Sequence, residues 1–177
     1  NLGWEIKPLA QDLGELLGIP VTLANDANAA AYGEYACGAG KEYKSIVLIT
    51  LGTGVGGGVI FGGKLFTGEL GAGAELGHTV IRMDGAPCSC GRRGCFEAYA
   101  SASALVRQTK DAMTCHPESK MWELCRGNAD HADGRTAFDG MRRGDDTAKE
   151  VVERYLNYLA EGIANIVNVF RPQAVLI

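Results

Sequence analysis

His78, Cys88, Cys90 and Cys95 lie in the run GHTVIRMDGAPCSCGRRGCFE. One imidazole and three thiols at this spacing form a complete soft donor set for tetrahedral zinc. The glycines of CxCGxxGC supply the chain reversals that could bring three sulfurs to one point. That favours a metal over the alternative of a buried histidine among core cysteines. A site ligated by four protein groups leaves no position for an activated water, so the zinc would be a structural staple. The second nitrogen of His78 would remain able to face a pocket. Glu75 and Glu97 flank the cluster, where a fixed loop would present both carboxylates to hydroxyl groups. Without the metal they would read as solvated side chains.

Two further groups precede this segment. In LGTGVGGG, the glycines from Gly52 to Gly58 let backbone approach a ligand closely. Their N–H groups can cradle phosphate oxygens, with Thr53 adding a hydroxyl. A strand rather than a helix follows, and no Lys-Ser/Thr pair is present, so this is neither a dinucleotide fingerprint nor a Walker loop. A plain hairpin is the other reading, although few hairpins need so many glycines. Asn25 and Asp26 stand at a strand end and a helix start. Either could cap that helix. Asp26 could equally serve as the base that takes a hydroxyl proton during phosphoryl transfer, with Asn25 orienting a neighbouring hydroxyl.

These groups need a scaffold, and the pattern predicts one. Ile6 to Leu17 has helical spacing of leucines and stops at Gly18 and Pro20. Val21 to Ala24 reads as a short strand, and Asp26 to Ala36 as an alanine-rich helix. Ser45 to Leu51 is an apolar β-branched central strand. Val59 to Phe61 returns after the glycine turn, and Gly62-Gly63 makes a hairpin to Lys64–Phe66. Helices are expected at Ala102–Met113, Ser119–Cys125 and Thr136–Met141. A longer one is expected from Asp146 to Phe170, with an apolar face of Val151, Val152, Tyr155, Leu156, Leu159, Ile163, Ile166, Val167 and Phe170. Pro172 ends it, and Ala174 to Ile177 follow as a strand parallel to the central one. The class is α/β. The boundary between two units falls near Gly38 to Lys44, with residues 1–40 in a first lobe and 45–177 in a second.

Bulk properties narrow the function. A hydrophobic share of 46% supports a sizeable core, and a net charge of −4 with 21% charged residues argues against disorder. No basic stripe with interleaved aromatics appears, so nucleic-acid binding by this region is not expected. No apolar run reaches the roughly 20 residues of a membrane span, and nothing resembles a signal peptide. Of six cysteines, Cys37, Cys115 and Cys125 are scattered and read as free thiols, which suits a reducing cytoplasm. His116 and His131 read as surface residues, Trp4 and Trp122 as packing residues. Arg92 and Arg93 flank a loop turn. Arg142 and Arg143 with Asp145 and Asp146 read as a solvated helix end. Residue 1 falls within a turn-like NLGW and the chain stops on AVLI, so the sequence reads as an excerpt of a longer polypeptide.

The segments LANDANAAAYGE, LITLGTGVGGGVIFGGKL, GELGAGAELGH and CSCGRRGCFEAYAS, in this order, resemble the ROK family of sugar kinases and related repressors. The resemblance extends into both flanks. It implies the actin-like, hexokinase-like ATPase fold (ribonuclease H-like), present in part and carrying a zinc-stapled loop. It also implies roles for matching positions. Asp26 would be the catalytic base, and Asn25, Asp26, Glu75, His78 and Glu97 would contact sugar. Gly52, Thr53 and Gly54 would form a phosphate-binding turn, and His78, Cys88, Cys90 and Cys95 would ligate Zn2+. The family's amino-terminal DxGGT turn and its later adenosine-side glycine segment are absent from this stretch. The implied activity is Mg2+-ATP-dependent phosphorylation of a hexose, first of all D-glucose to glucose 6-phosphate, by a homodimer. The same body also occurs in repressors with an upstream DNA-binding domain. A zinc-stapled scaffold without catalysis is a third reading.

Overall fold

A computed structural model describes residues 7–177, so Trp4, Ile6 and the start of the first expected helix lie outside the described residues. The described helix α1 spans Leu9–Leu17 and ends at Gly18 in the left-handed conformation, as a helix-stopping glycine should. Val21 to Ala24, expected as a strand, has no sheet partner among the described residues and leaves Leu23 56% exposed. A strand needs a neighbour for its ladder, and no described segment of the sheet reaches it.

Helix α2 (Asp26–Cys37) is followed by strand β1 (Ile46–Leu51), strand β2 (Val55–Phe61) and strand β3 (Lys64–Phe66). The strands form a mixed sheet of order β3-β2-β1-β4, where β4 is Ala174–Leu176. β1 pairs antiparallel with β2 and parallel with β4, with Val47 opposite both Val59 and Val175. The expected parallel return after the long helix is therefore present. β2 is longer than expected, because only Gly52 to Gly54 turn the chain and Gly56 to Gly58 lie within the strand. Those glycines serve packing. A Cβ on Gly58 would collide with Ala31 and the backbone of Ala27 in α2, and one on Gly57 would collide with Leu76 on the opposite face. The missing side chains allow α2 to lie directly on the sheet.

After a loop spanning residues 67–96, the chain forms short α3 (Glu97–Ala100), α4 (Ala102–Cys115), α5 (Met121–Leu124), α6 (Thr136–Arg142) and the long α7 (Asp146–Phe170). The last has the predicted bounds. Its two halves serve different cores. Val151, Val152 and Tyr155 pack with Leu105, Met113, Met121 and Ala137. Ile166 packs with Val47, Ile49, Val59 and Phe96 under the sheet. Between them Gly162 lies against the Phe96 ring, with no room for a Cβ. Two members of the predicted apolar face, Leu156 at 46% and Val167 at 39%, are exposed, because the face is wider than the surfaces packed against it.

Asp145 is a second correction. Rather than sitting at a solvated helix end, its carboxylate is buried and caps α7 by accepting from Ala148 N at 3.2 Å. It also accepts from Ser119 Oγ at 2.6 Å and Met121 N at 3.3 Å. Burial pushes the carboxyl pKa up. The Ser119 hydroxyl and the amides of Ala148, Lys120 and Met121 outweigh that and hold it below the usual range. Arg142 pairs with Asp139 instead, at 2.7 Å. Trp122 packs half-buried with its indole N–H donating to Met113 O at 3.0 Å. Among the described residues, no helix is long and apolar enough to cross a membrane.

Candidate functional site

A cavity of about 500 Å³ opens between the start of α2, the β1–β2 turn and the loop after β3. Asn25, Asp26, Gly52, Thr53, Gly54, Glu75, His78 and Glu97 all line it. Residues far apart in sequence thus share one wall; of the expected metal ligands His78 lies on it, while Cys88, Cys90 and Cys95 do not line the cavity. Thr50, Gly71, Gly73 and Ala74 also contribute. They were not singled out from sequence, although GELGAGA carries the glycine density of a loop that comes close to a ligand.

Asn25 and Asp26 are presented by the first turn of α2. Asn25 is the N-cap, its Oδ1 accepting from Asn28 N at 3.0 Å. That commits one atom and leaves the Nδ2 amide as the group for a ligand. Asp26 Oδ1 accepts from its neighbour Ala27 N at 2.8 Å, and the residue is exposed. Capping and ligand contact are therefore divided between the two residues. Asn25 holds the helix end, while the Asp26 carboxylate stands at the first turn beside the cavity.

The turn between β1 and β2 is held at both ends. Gly52 N donates to Gly54 O at 3.0 Å, and Ala102 N donates to Gly52 O at 2.9 Å. At its exit Val55 N donates to Glu97 Oε2 at 3.1 Å. Among the described residues the amides of Thr53 and Gly54 donate to no carbonyl outside the strand ladder. They are the donors such a turn can offer to anionic oxygens.

The cysteine loop closes through two bridges, Val80 with Cys95 and Pro87 with Arg93. Donor atoms of His78, Cys88, Cys90 and Cys95 all lie within 4.8 Å of one another. His78 Nδ1 is 3.5 Å from Cys88 Sγ, and Cys90 Sγ is 3.7 Å from Cys95 Sγ. Tetrahedral zinc with bonds of about 2.3 Å to sulfur and about 2.0 Å to nitrogen requires edges of roughly 3.8 Å and 3.5 Å. The donor set and both separations fit a zinc ion. The bond geometry turns Nδ1 of His78 toward the sulfurs, leaving Nε2 for the cavity that the ring lines. Without a cation the thiols influence one another. The backbone N–H of Arg92 lowers the Cys90 pKa, while burial and then its cysteine neighbours push Cys95 up to about 12. Thiolate ligation reverses that pressure when a divalent ion is bound.

Ser89 is the functional neighbour that sequence reasoning missed. Its Oγ donates to Glu97 Oε1 at 3.1 Å. A serine between two ligand cysteines carries no signal of its own. Its role arises only because the loop folds back on Glu97. Of the bland candidates, His116 sits at the surface with Nδ1 3.0 Å from Glu118. His131 is likewise exposed.

A mixed sheet with an alanine-rich helix on one face, a glycine turn and a Cys/His loop surround one cleft, and the solved structures it resembles give this arrangement as part of the actin-like α/β ATPase fold. The whole chain, residues 1–177, matches the ROK family, and the protein belongs to it. A glucokinase of Thermotoga maritima is 42% identical over 174 residues, which cover 98% of this chain and 55% of the relative. A xylose repressor of Bacillus subtilis is 35% identical, over 100% of this chain and 42% of its own. In fold, the chain is similar to a ROK family glucokinase from Streptomyces griseus solved in complex with glucose and AMPPNP. The TM-score is 0.89 at 40% identity, covering 99% of this chain and 57% of that one. The chain thus spans about half the length of the relatives it matches.

Proposed function

We propose that the full-length protein is an ATP-dependent hexose kinase that converts D-glucose to glucose 6-phosphate. The observation carrying this reading is the meeting of Asp26, the Gly52–Gly54 turn and the Glu75, His78 and Glu97 side chains in one cavity. Phosphoryl transfer needs alignment, charge stabilisation and a base; in this reading Asp26 is the base, the other side chains and turn amides align the reactants, and the nucleotide's metal balances charge. Asp26 accepts the proton of the 6-hydroxyl as that oxygen attacks the γ-phosphorus. Asn25 Nδ2 donates to an adjacent hydroxyl. Glu75 and Glu97 accept from ring hydroxyls, and His78 contacts another through Nε2. Thr53 and the turn amides face the phosphoryl oxygens.

Charge argues for the nucleotide's metal. Asp26, Glu75 and Glu97 line the cavity and, among the described residues, no lysine or arginine does, so polyphosphate entering it needs Mg2+ to balance its charge. Zn2+ would be held by His78 Nδ1 and the sulfurs of Cys88, Cys90 and Cys95, as a staple that fixes the loop and takes no part in the reaction. We place residues 1–40 in a first lobe and 45–177 in a second, with the cleft between them completed by the rest of the protein. A cytoplasmic homodimer is part of the same proposal.

The test is a sugar panel with Mg-ATP on the full-length protein, including fructose, mannose and N-acetylmannosamine, whose recognition would share these polar groups. Transfer to glucose should be the most efficient. Absence of sugar-dependent transfer, together with an upstream DNA-binding domain, would instead support a sugar-responsive repressor, a reading favoured by the similarity to the Bacillus subtilis xylose repressor.

A further inference from the structure

We propose that Glu97 is a positioning residue that transmits the state of the cysteine loop to the glycine turn. Its two carboxylate oxygens divide between two elements. Oε2 accepts from Val55 N at 3.1 Å, at the exit of the turn. Oε1 accepts from Ser89 Oγ at 3.1 Å and lies 3.8 Å from Cys88 Sγ, within the loop that bears the metal donors. One side chain therefore spans the gap between the zinc staple and the phosphate turn.

The turn is shaped for this brace. A Cβ on Gly54 would collide with Glu97 Oε2, so only glycine lets the carboxylate reach the amide beyond it. The opposite end of the turn is held from the same segment, through Ala102 N on Gly52 O at 2.9 Å. That segment begins directly after buried Cys95. Val55 is itself buried, so its N–H loses a charge-assisted partner in a poorly solvated place if Glu97 turns away.

The consequence is mechanical. With the loop stapled, Ser89, held between two ligand cysteines, keeps Oε1 in place, and Oε2 stays on Val55 N. With the loop loose, the carboxylate can rotate, and the amides of Thr53 and Gly54 lose their fixed direction. A sugar hydroxyl that displaces Ser89 from Oε1 would act on the same lever, so sugar and nucleotide sites would communicate through one residue. This deepens the kinase reading and rests on it where it assigns nucleotide phosphate to the turn.

The experiment uses the full-length protein with Mg2+ and a non-hydrolysable ATP analogue. Calorimetry gives the nucleotide Kd for wild type, Glu97→Ala, Glu97→Asp and Glu97→Gln, each before and after chelation. Hydrogen exchange at the Val55 amide is followed in parallel. Glu97→Ala and the shorter Glu97→Asp should weaken nucleotide binding roughly tenfold, the scale of one lost charge-assisted bond. Zinc content should not change. Glu97→Gln keeps an oxygen acceptor for Val55 N and should remain within about threefold of wild type. Chelation should weaken wild type roughly tenfold and add little to Glu97→Ala, because coupled changes are not additive. Val55 exchange should accelerate wherever affinity falls. The proposal is overturned if Glu97→Ala leaves nucleotide Kd and Val55 exchange unchanged, or if chelation weakens Glu97→Ala as much as wild type. If wild type binds no nucleotide, the kinase reading fails separately, and Val55 exchange still decides whether the brace exists.

Discussion

Gly58 of β2 lies directly against Ala31 of α2, leaving no space for even a methyl group between strand and helix. This contact sets the height of α2 above the sheet, and with it the position of Asp26 at the helix start. Gly58→Val should therefore do two things. Overpacking should cost about 1–3 kcal/mol of stability in denaturant titration. In addition, kcat should fall although the substitution touches no site residue, because a shift of about 1 Å at a reacting group can cost on the order of 10²-fold. Full activity in a destabilised variant would show that α2 does not transmit its height to Asp26.

Asp26→Asn tests the base directly. Because Asn25 supplies the cap, replacing Asp26 leaves the capping bond intact, and the variant should fold and bind zinc normally. Its kcat in the full-length protein should fall by roughly 10²-fold or more, the scale of a lost proton-transfer catalyst, with sugar binding retained. Near-normal kcat would remove Asp26 from the role of base. By contrast, Asn25→Ala should cost about 1 kcal/mol in stability through the lost cap.

Metal analysis tests the staple. The close approach of His78, Cys88, Cys90 and Cys95 donors predicts about one zinc per chain, from one complete four-ligand site. Cys90→Ser should lose it. Because ligand binding and loop folding are coupled, chelation should raise hydrogen exchange across residues 78–97. An ordered loop with no bound metal would contradict this.

Asp145 gives a pH signature independent of the candidate site. Its pKa is lower folded than unfolded, so its contribution to stability is fully present above the unfolded value of about 3.9. It is lost as pH falls through the lower folded value. Wild type should therefore lose stability on acidification below about pH 4 more steeply than Asp145→Asn. At neutral pH, Asp145→Ala should cost about 1–3 kcal/mol, since Ser119 and the α7 amides lose their buried acceptor.

Some of this was legible before any coordinates. The candidate metal donors, Asn25-Asp26 and the glycine turn are marked by residue type, because few other arrangements need three cysteines near a histidine or so many glycines together. Local pattern also placed the central strand, the hairpin and α7, whose apolar periodicity and flanking Pro172 act over short range. Other assignments depended on contacts that the sequence does not order. Gly56 to Gly58 looked like turn residues and are strand residues, since their need for closeness comes from α2 and Leu76. Val21 to Ala24 has strand character but no described partner. Asp145 looked solvated until Ser119, distant in sequence, folded onto it. Ser89 and the two-sided reach of Glu97 follow from a loop folding back across the glycine turn. Residue chemistry can name the groups of a site. Which oxygen faces which amide is decided by packing between segments, and that is a property of the tertiary structure.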